Sequence, residues 1–143
     1  METVRDLSPA QYRDLAEFRR QIRRFLYFSE MTAKEQSLEP KQHQLLLALY
    51  GLPEDLKPTI GELASRLFIQ HHSAVELVNR LATAGLVIRQ SSAEDKREVL
   101  VALTSTGKAA LRRLSLAHRE ELERSGPELA RALNAVLRHA GVK

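Results

Sequence analysis

Residues 59–107 read TIGELASRLFIQHHSAVELVNRLATAGLVIRQSSAEDKREVLVALTSTG, and the period of their apolar residues changes once, at Gly85. Before it the spacing is helical. Thr59 followed three residues later by Glu62 is a capping-box start, and Leu63, Ala64 and Leu67 form one stripe. A break near Phe68–Gln70 separates this short helix from a second, over about 71–84, with Ala74, Leu77, Val78 and Leu81 facing inward. Gly85 suits the left-handed stop of a helix. After it, Leu86–Ser91 and Glu98–Leu103 are β-like runs around a polar turn, which predicts a hairpin. Thr104 then caps another helix. Two short helices joined by a tight turn and followed by a hairpin make a helix-turn-helix with a wing.

Packing the inward stripe of the second helix leaves a polar face outward: Gln70, His71, His72, Ser73, Val75, Glu76 and Asn79, with Arg80 beside it. Such a slim polar face fits the major groove of double-stranded DNA. The hairpin would flank it with Arg89, Asp95, Lys96 and Arg97. A guanidinium at a hairpin tip is drawn to the negative potential of a narrow minor groove. Asp95 can fix the direction of Arg97 or of Arg89 by pairing with it. Residues 59–104 carry five basic and five acidic groups. Binding through this segment would therefore depend on placed charges, not on bulk charge.

The run Asp95-Lys96-Arg97 followed by Leu103-Thr104 and Gly107 resembles the Asp-x-Arg wing signature of the MarR family of bacterial transcriptional regulators. ELASRL at 62–67, LVNRL at 77–81 and GLVIR at 85–89 are similar to its helix-turn-helix and first wing strand. The resemblance covers about 59–107, and over the flanking helices it is one of layout. It implies a mainly α fold: a winged helix-turn-helix lobe with a two-stranded β wing, and N- and C-terminal helices forming a dimerisation lobe. It also implies a homodimer on a pseudo-palindromic operator, in most cases a repressor, released by a small-molecule effector bound between the lobes. Arg97 becomes the minor-groove residue, Asp95 its partner, and positions 70–76 the base-reading stretch. Where many relatives carry Arg in that stretch, this chain has Val75-Glu76. A carboxylate there must accept from a cytosine amino group or pair with a base such as Arg80.

The flanks read as helices. Ser8-Pro9-Ala10-Gln11 starts one that runs to about residue 36, with Leu15, Phe18, Ile22, Phe25 and Leu26 at helical spacing. Pro40 opens a second, with Leu45, Leu46, Leu49 and Leu52 inward, ended by Gly51 and Pro53. PEDLKP at 53–58 is a loop. Leu111, Leu114, Ala117 and Leu122 mark a helix after Thr104, and Ser125-Gly126-Pro127 breaks it and starts another carrying Leu129, Leu133, Val136, Leu137 and Ala140. Helices this long exceed the partner surface of so small a winged core, which predicts a bundle between two copies. One domain over 1–143 is expected, with 1–38 and 105–143 for dimerisation and 39–104 for DNA. Tyr27, His43 and Tyr50 are candidates for an effector crevice between the first two helices.

The chain has 143 residues and no Cys, which excludes disulfides and thiolate metal sites. His72 and Glu76 stand one turn apart, but no third metal ligand is evident, so neither metal nor cofactor is expected. No signal core or membrane span is evident, which predicts a cytoplasmic protein. There is no phosphate-binding Gly loop, no HExxH and no nucleophile elbow, so an enzyme is not expected. The competing function is a winged helix used for protein interaction without DNA.

Overall fold

The computed structural model describes residues 6–139. Five helices and two strands follow in order: α1 Pro9–Glu35, α2 Pro40–Tyr50, α3 Ile60–Leu67, α4 His71–Thr83, β1 Val87–Ser91, β2 Val99–Leu103 and α5 Ser105–His139. The described chain divides into two compact units. One takes the residues up to Met31 and those from Ala117, and the other spans Thr32–Leu116.

The Thr32–Leu116 unit holds the core. Leu45, Leu46, Leu63, Val78, Leu81, Val87, Val101 and Leu114 are fully buried there, and Ala33, Leu38 and Leu111 extend the cluster. Burying one such side chain is worth about 1.5–3 kcal/mol, so α2, α3 and α4 are held mainly by this shared stripe. Gly51 ends α2, its N–H donating to the Leu47 carbonyl at 2.9 Å. Leu52, expected inward, is only half-buried.

α4 stops as its glycine requires. Gly85 takes φ +77°, its N–H donates to the Ala82 carbonyl, and the Leu86 N–H reaches back to the Leu81 carbonyl at 2.9 Å. β1 and β2 then pair antiparallel, from Val87 opposite Leu103 to Ser91 opposite Val99. The other edge of β2 is also occupied. The Val101 N–H donates to the Pro58 carbonyl at 2.9 Å, and Thr59 bridges Leu100. The 53–58 segment, expected as a plain loop, thus ends as a stub of third strand that ties the wing to the start of α3.

In the other unit, α1 opens with the expected reciprocal cap. Ser8 Oγ accepts from the Gln11 N–H at 3.2 Å, and Gln11 Oε1 accepts from the Ser8 N–H at 2.8 Å. The α1 and α5 segments here meet through polar groups as well as apolar ones. His118 Nε2 lies 2.7 Å from Ser29 Oγ, with the ring edge-on to Phe25 and Phe28. Arg24 pairs with Glu128 at 2.9 Å.

The expected break at Ser125-Gly126-Pro127 does not occur, and α5 is one helix of 35 residues with Pro127 inside it. Leu114, His118, Glu121, Ser125 and Ala132 are buried, at spacings of three, four or seven, so one helical period runs through the proline. Pro127 removes one backbone donor, that aimed at the Glu123 carbonyl, which the continuing stripe outweighs. The stripe was hidden in sequence because its middle is polar. Ala140 lies outside the described residues.

Candidate nucleic-acid interface

α3 is capped by Thr59, whose Oγ1 accepts from the Glu62 N–H at 3.1 Å. The reciprocal half of the expected capping box is absent, because the Thr59 N–H donates to the Lys57 carbonyl at 2.8 Å and Glu62 faces Arg66 at 3.6 Å. The turn after α3 carries Phe68 in the left-handed region at φ 55°. Gln70 then takes an extended conformation and α4 begins at His71.

On α4, Ala74, Leu77, Val78 and Leu81 are buried as expected. Gln70, His71, His72, Glu76, Asn79 and Arg80 are exposed, whereas Ser73 and Val75 are half-buried and turn partly away from the open face. Arg80 does not pair with Glu76. Its Nη1 meets Glu39 Oε2 at 3.0 Å, because Glu39, the residue preceding α2, stands over the same side of α4. Glu39, Lys41, Ile69, Ser73, Glu76, Leu77 and Arg80 line a small groove of about 150 Å³ there.

The wing tip is built by short bonds. The Ser92 N–H donates to the Glu98 carbonyl at 2.9 Å, the Glu98 N–H to the Asp95 carbonyl at 3.0 Å, and the Glu94 N–H to Ser92 Oγ at 3.2 Å. Asp95 Oδ1 accepts from the Arg97 N–H at 3.0 Å and lies 3.6 Å from its Nε. The carboxylate therefore holds the backbone of Arg97 and only loosely its guanidinium, which is 94% exposed. Of the two partners expected for Asp95, Arg97 is the one it meets. Lys96 and Arg89 are exposed on the same hairpin.

Lys57 is a wing contact that sequence reasoning missed. Its Nζ sits 2.9 Å from Glu94 and 3.3 Å from Glu98. The Glu94 carboxylate, then Glu98, holds the Lys57 ammonium above its usual range, and Lys57 holds Glu94 below the usual carboxylate range. The single positive charge of Lys57 is shared between two of the three wing carboxylates, which offsets one negative charge and leaves the tip less negative than residues 94–98 alone suggest. No local signal could find this pair, since 37 residues separate Lys57 from Glu94.

The three effector candidates differ in exposure. Tyr27 is exposed and belongs to the other unit, and His43 is buried at 3% exposure, not a surface group. Tyr50 is exposed, its ring 5.9 Å from Lys108 Nζ. It lines two cavities. One, of about 470 Å³, lies between α2 and α5 beside Leu47, Lys108, Leu111, Arg112 and Ser115. The other, of about 340 Å³, opens under the 52–58 loop against Val101 and Leu103. Within its own unit Tyr50 thus faces space between α2 and α5. Among the described residues no cluster of three His, Asp or Glu is placed to hold a metal ion, and no helix is long and apolar enough to cross a membrane.

A three-helix core, a tight turn into α4 and a paired hairpin whose tip carries an exposed guanidinium define a winged helix-turn-helix protein. Residues 36–98 match the model of the MarR family. Solved structures share the fold. AbsC, a MarR family transcriptional regulator from Streptomyces coelicolor, is 19% identical with a TM-score of 0.73, over 96% of this chain and 98% of that one. The repressor CouR bound to a 23-mer DNA duplex is 26% identical with a TM-score of 0.66, over 86% and 88%. CouR from Rhodococcus jostii RHA1 bound to p-coumaroyl-CoA gives 20% and 0.69, over 82% and 81%. No curated protein sequence matches the chain.

Proposed function

We propose that this chain is a homodimeric transcriptional repressor that binds a pseudo-palindromic operator and is released by a small-molecule effector. The observation that carries it is the pairing, within one compact unit, of the open polar face of α4 with the exposed Arg97 at the wing tip. In this reading Gln70, His71, His72, Glu76 and Asn79 meet base edges in the major groove, with Ser73 and Val75 at its margin. Arg97 enters the adjacent minor groove, while Arg89 and Lys96 meet phosphates. Asp95 holds the tip, and Arg80, tied to Glu39, sets the edge of the reading face.

The second copy is supported by apolar surface. Tyr12, Leu15, Leu26 and Tyr27 on α1, and Leu122 and Leu133 on α5, are exposed in the single chain although most of them fall on the apolar stripes. Burying several hundred Å² of such surface gives on the order of 10 kcal/mol before association costs. Residues 1–38 and 105–143 would supply this lobe and 39–104 the DNA-binding one, with half-sites about 10 bp apart. The α2–α5 cavity at Tyr50 is the place for an effector, which acts by favouring one spacing of the two α4 helices.

Selection of bound duplexes from a random pool, followed by fluorescence anisotropy at several salt concentrations, tests the DNA reading. Affinity should fall steeply with salt as phosphate counterions are released. A salt-independent signal, or no enrichment of any sequence, would replace it with the protein-interaction alternative. Sedimentation equilibrium tests the dimer, and a monomer at micromolar concentration would remove it.

A further inference from the structure

We infer that Phe68, in the helix-turn-helix turn, is an apolar reader of a thymine methyl group at the rim of the recognition site. Phe68 is 95% exposed, more than any other large apolar side chain described; the next, Tyr27, is 66% exposed. Its backbone is also unfavourable. φ 55°, ψ 41° is the left-handed region, which non-glycine residues enter at a cost. The turn needs that conformation: the Phe68 N–H donates to the Ser65 carbonyl at 3.2 Å and the Ile69 N–H to the Ala64 carbonyl at 3.1 Å. The same arrangement closes α4, and there the chain uses Gly85. At the turn it carries instead a bulky aromatic that gains almost no burial within its own chain.

The position gives this side chain a use. Phe68 lies two residues before Gln70, so their Cα atoms are at most about 7 Å apart, and His71 and His72 follow at the open start of α4. Its exposed neighbours in sequence, Ser65, Arg66 and Gln70, are polar or cationic. That polar and cationic setting suits a polyanion that offers one apolar group. In the major groove that group is the thymine 5-methyl. The phenyl ring has no hydrogen-bonding group, so the contact would distinguish thymine by its methyl and by nothing else.

This inference rests on the proposed DNA-binding function. The test uses the full-length protein and a duplex selected by it from a random pool, with thymines replaced one at a time by deoxyuridine, which removes only the methyl. For the wild-type protein, one symmetry-related thymine per half-site should cost about fourfold in affinity when its methyl is lost, from the burial of one methyl. Phe68→Ala should bind the parent duplex more weakly by at least that factor and be indifferent to the same replacement. Phe68→Gly relieves the backbone and so guards against a folding artefact; it should be at least as stable as wild type and lose the same discrimination. If either variant keeps the wild-type response to deoxyuridine, or if no thymine methyl matters to the wild type, the inference is overturned while DNA binding stands. If the wild-type protein enriches no duplex, the DNA-binding proposal falls and this one with it.

Discussion

The carbonyl oxygen of Leu86 lies 2.0 Å from where a β-carbon on Gly107 would stand. The first turn of α5 is pressed against the root of the wing at this point. Thr104 closes the same joint: its N–H donates to the Leu86 carbonyl at 3.0 Å, its hydroxyl donates to the Gly85 carbonyl at 2.6 Å and accepts from the Gly107 N–H at 3.0 Å. A methyl at 107 meets backbone, which cannot rotate away. Gly107→Ala should lower stability by about 2–4 kcal/mol, read as a reduced urea midpoint. An unchanged midpoint would mean the joint is looser than this geometry requires.

Arg97→Ala should leave the fold alone and weaken DNA binding. The side chain is almost wholly exposed, and its one contact with Asp95 is a surface pair of little energetic weight. Melting should shift by less than about 0.5 kcal/mol. Anisotropy titrations should show a clear loss of affinity, a weaker preference for A·T flanks and a salt slope smaller by about one per subunit. Equal affinity for wild type and variant would remove Arg97 from the interface.

The Lys57 clamp gives the wing a pH window. Glu94 is held below its ordinary value of 4.5, so its contribution is present above that pH and is lost as pH falls through the lowered value. Lys57 is held above its ordinary 10.5, so its contribution is present below that pH and is lost as pH rises through the raised value. Hydrogen exchange at the wing amides should therefore be even in its protection between about pH 5 and 10, once the intrinsic pH dependence is removed, and weaken towards acid. Lys57→Met should abolish the acid step. An acid step that persists in the variant would assign it to another group.

Within α5, Gly126 has open space where a β-carbon would go. Gly126→Ala should raise stability by about 0.5–1 kcal/mol, since alanine loses less backbone freedom in a helix. Calorimetry would register the gain as a higher melting temperature. A loss would indicate that the helix is interrupted at 125–127 after all.

Much of this was legible in the amino-acid order alone. Helical spacing placed α3 and α4, Gly85 marked the stop, and alternation after it placed the hairpin within a residue, because each of these is a local property of side-chain period and backbone sterics. What local pattern could not reveal was which groups of opposite charge meet. Arg80 stands one helical turn from Glu76 but pairs with Glu39, and Lys57 reaches across to Glu94 and Glu98. The unbroken course of α5 escapes local pattern for a related reason. Apolar spacing does not reveal its buried stripe, whose centre is His118, Glu121 and Ser125.

The order of residues by itself therefore determined the winged helix and its outward-facing candidates, since caps, periods and a glycine stop act over a few residues. Only the folded chain decided the state of each candidate. It left the Arg97 side chain exposed beside Asp95, paired Arg80 with Glu39 and buried His43. It also left Phe68 in the open, because burial and ion pairing depend on which distant segments pack together.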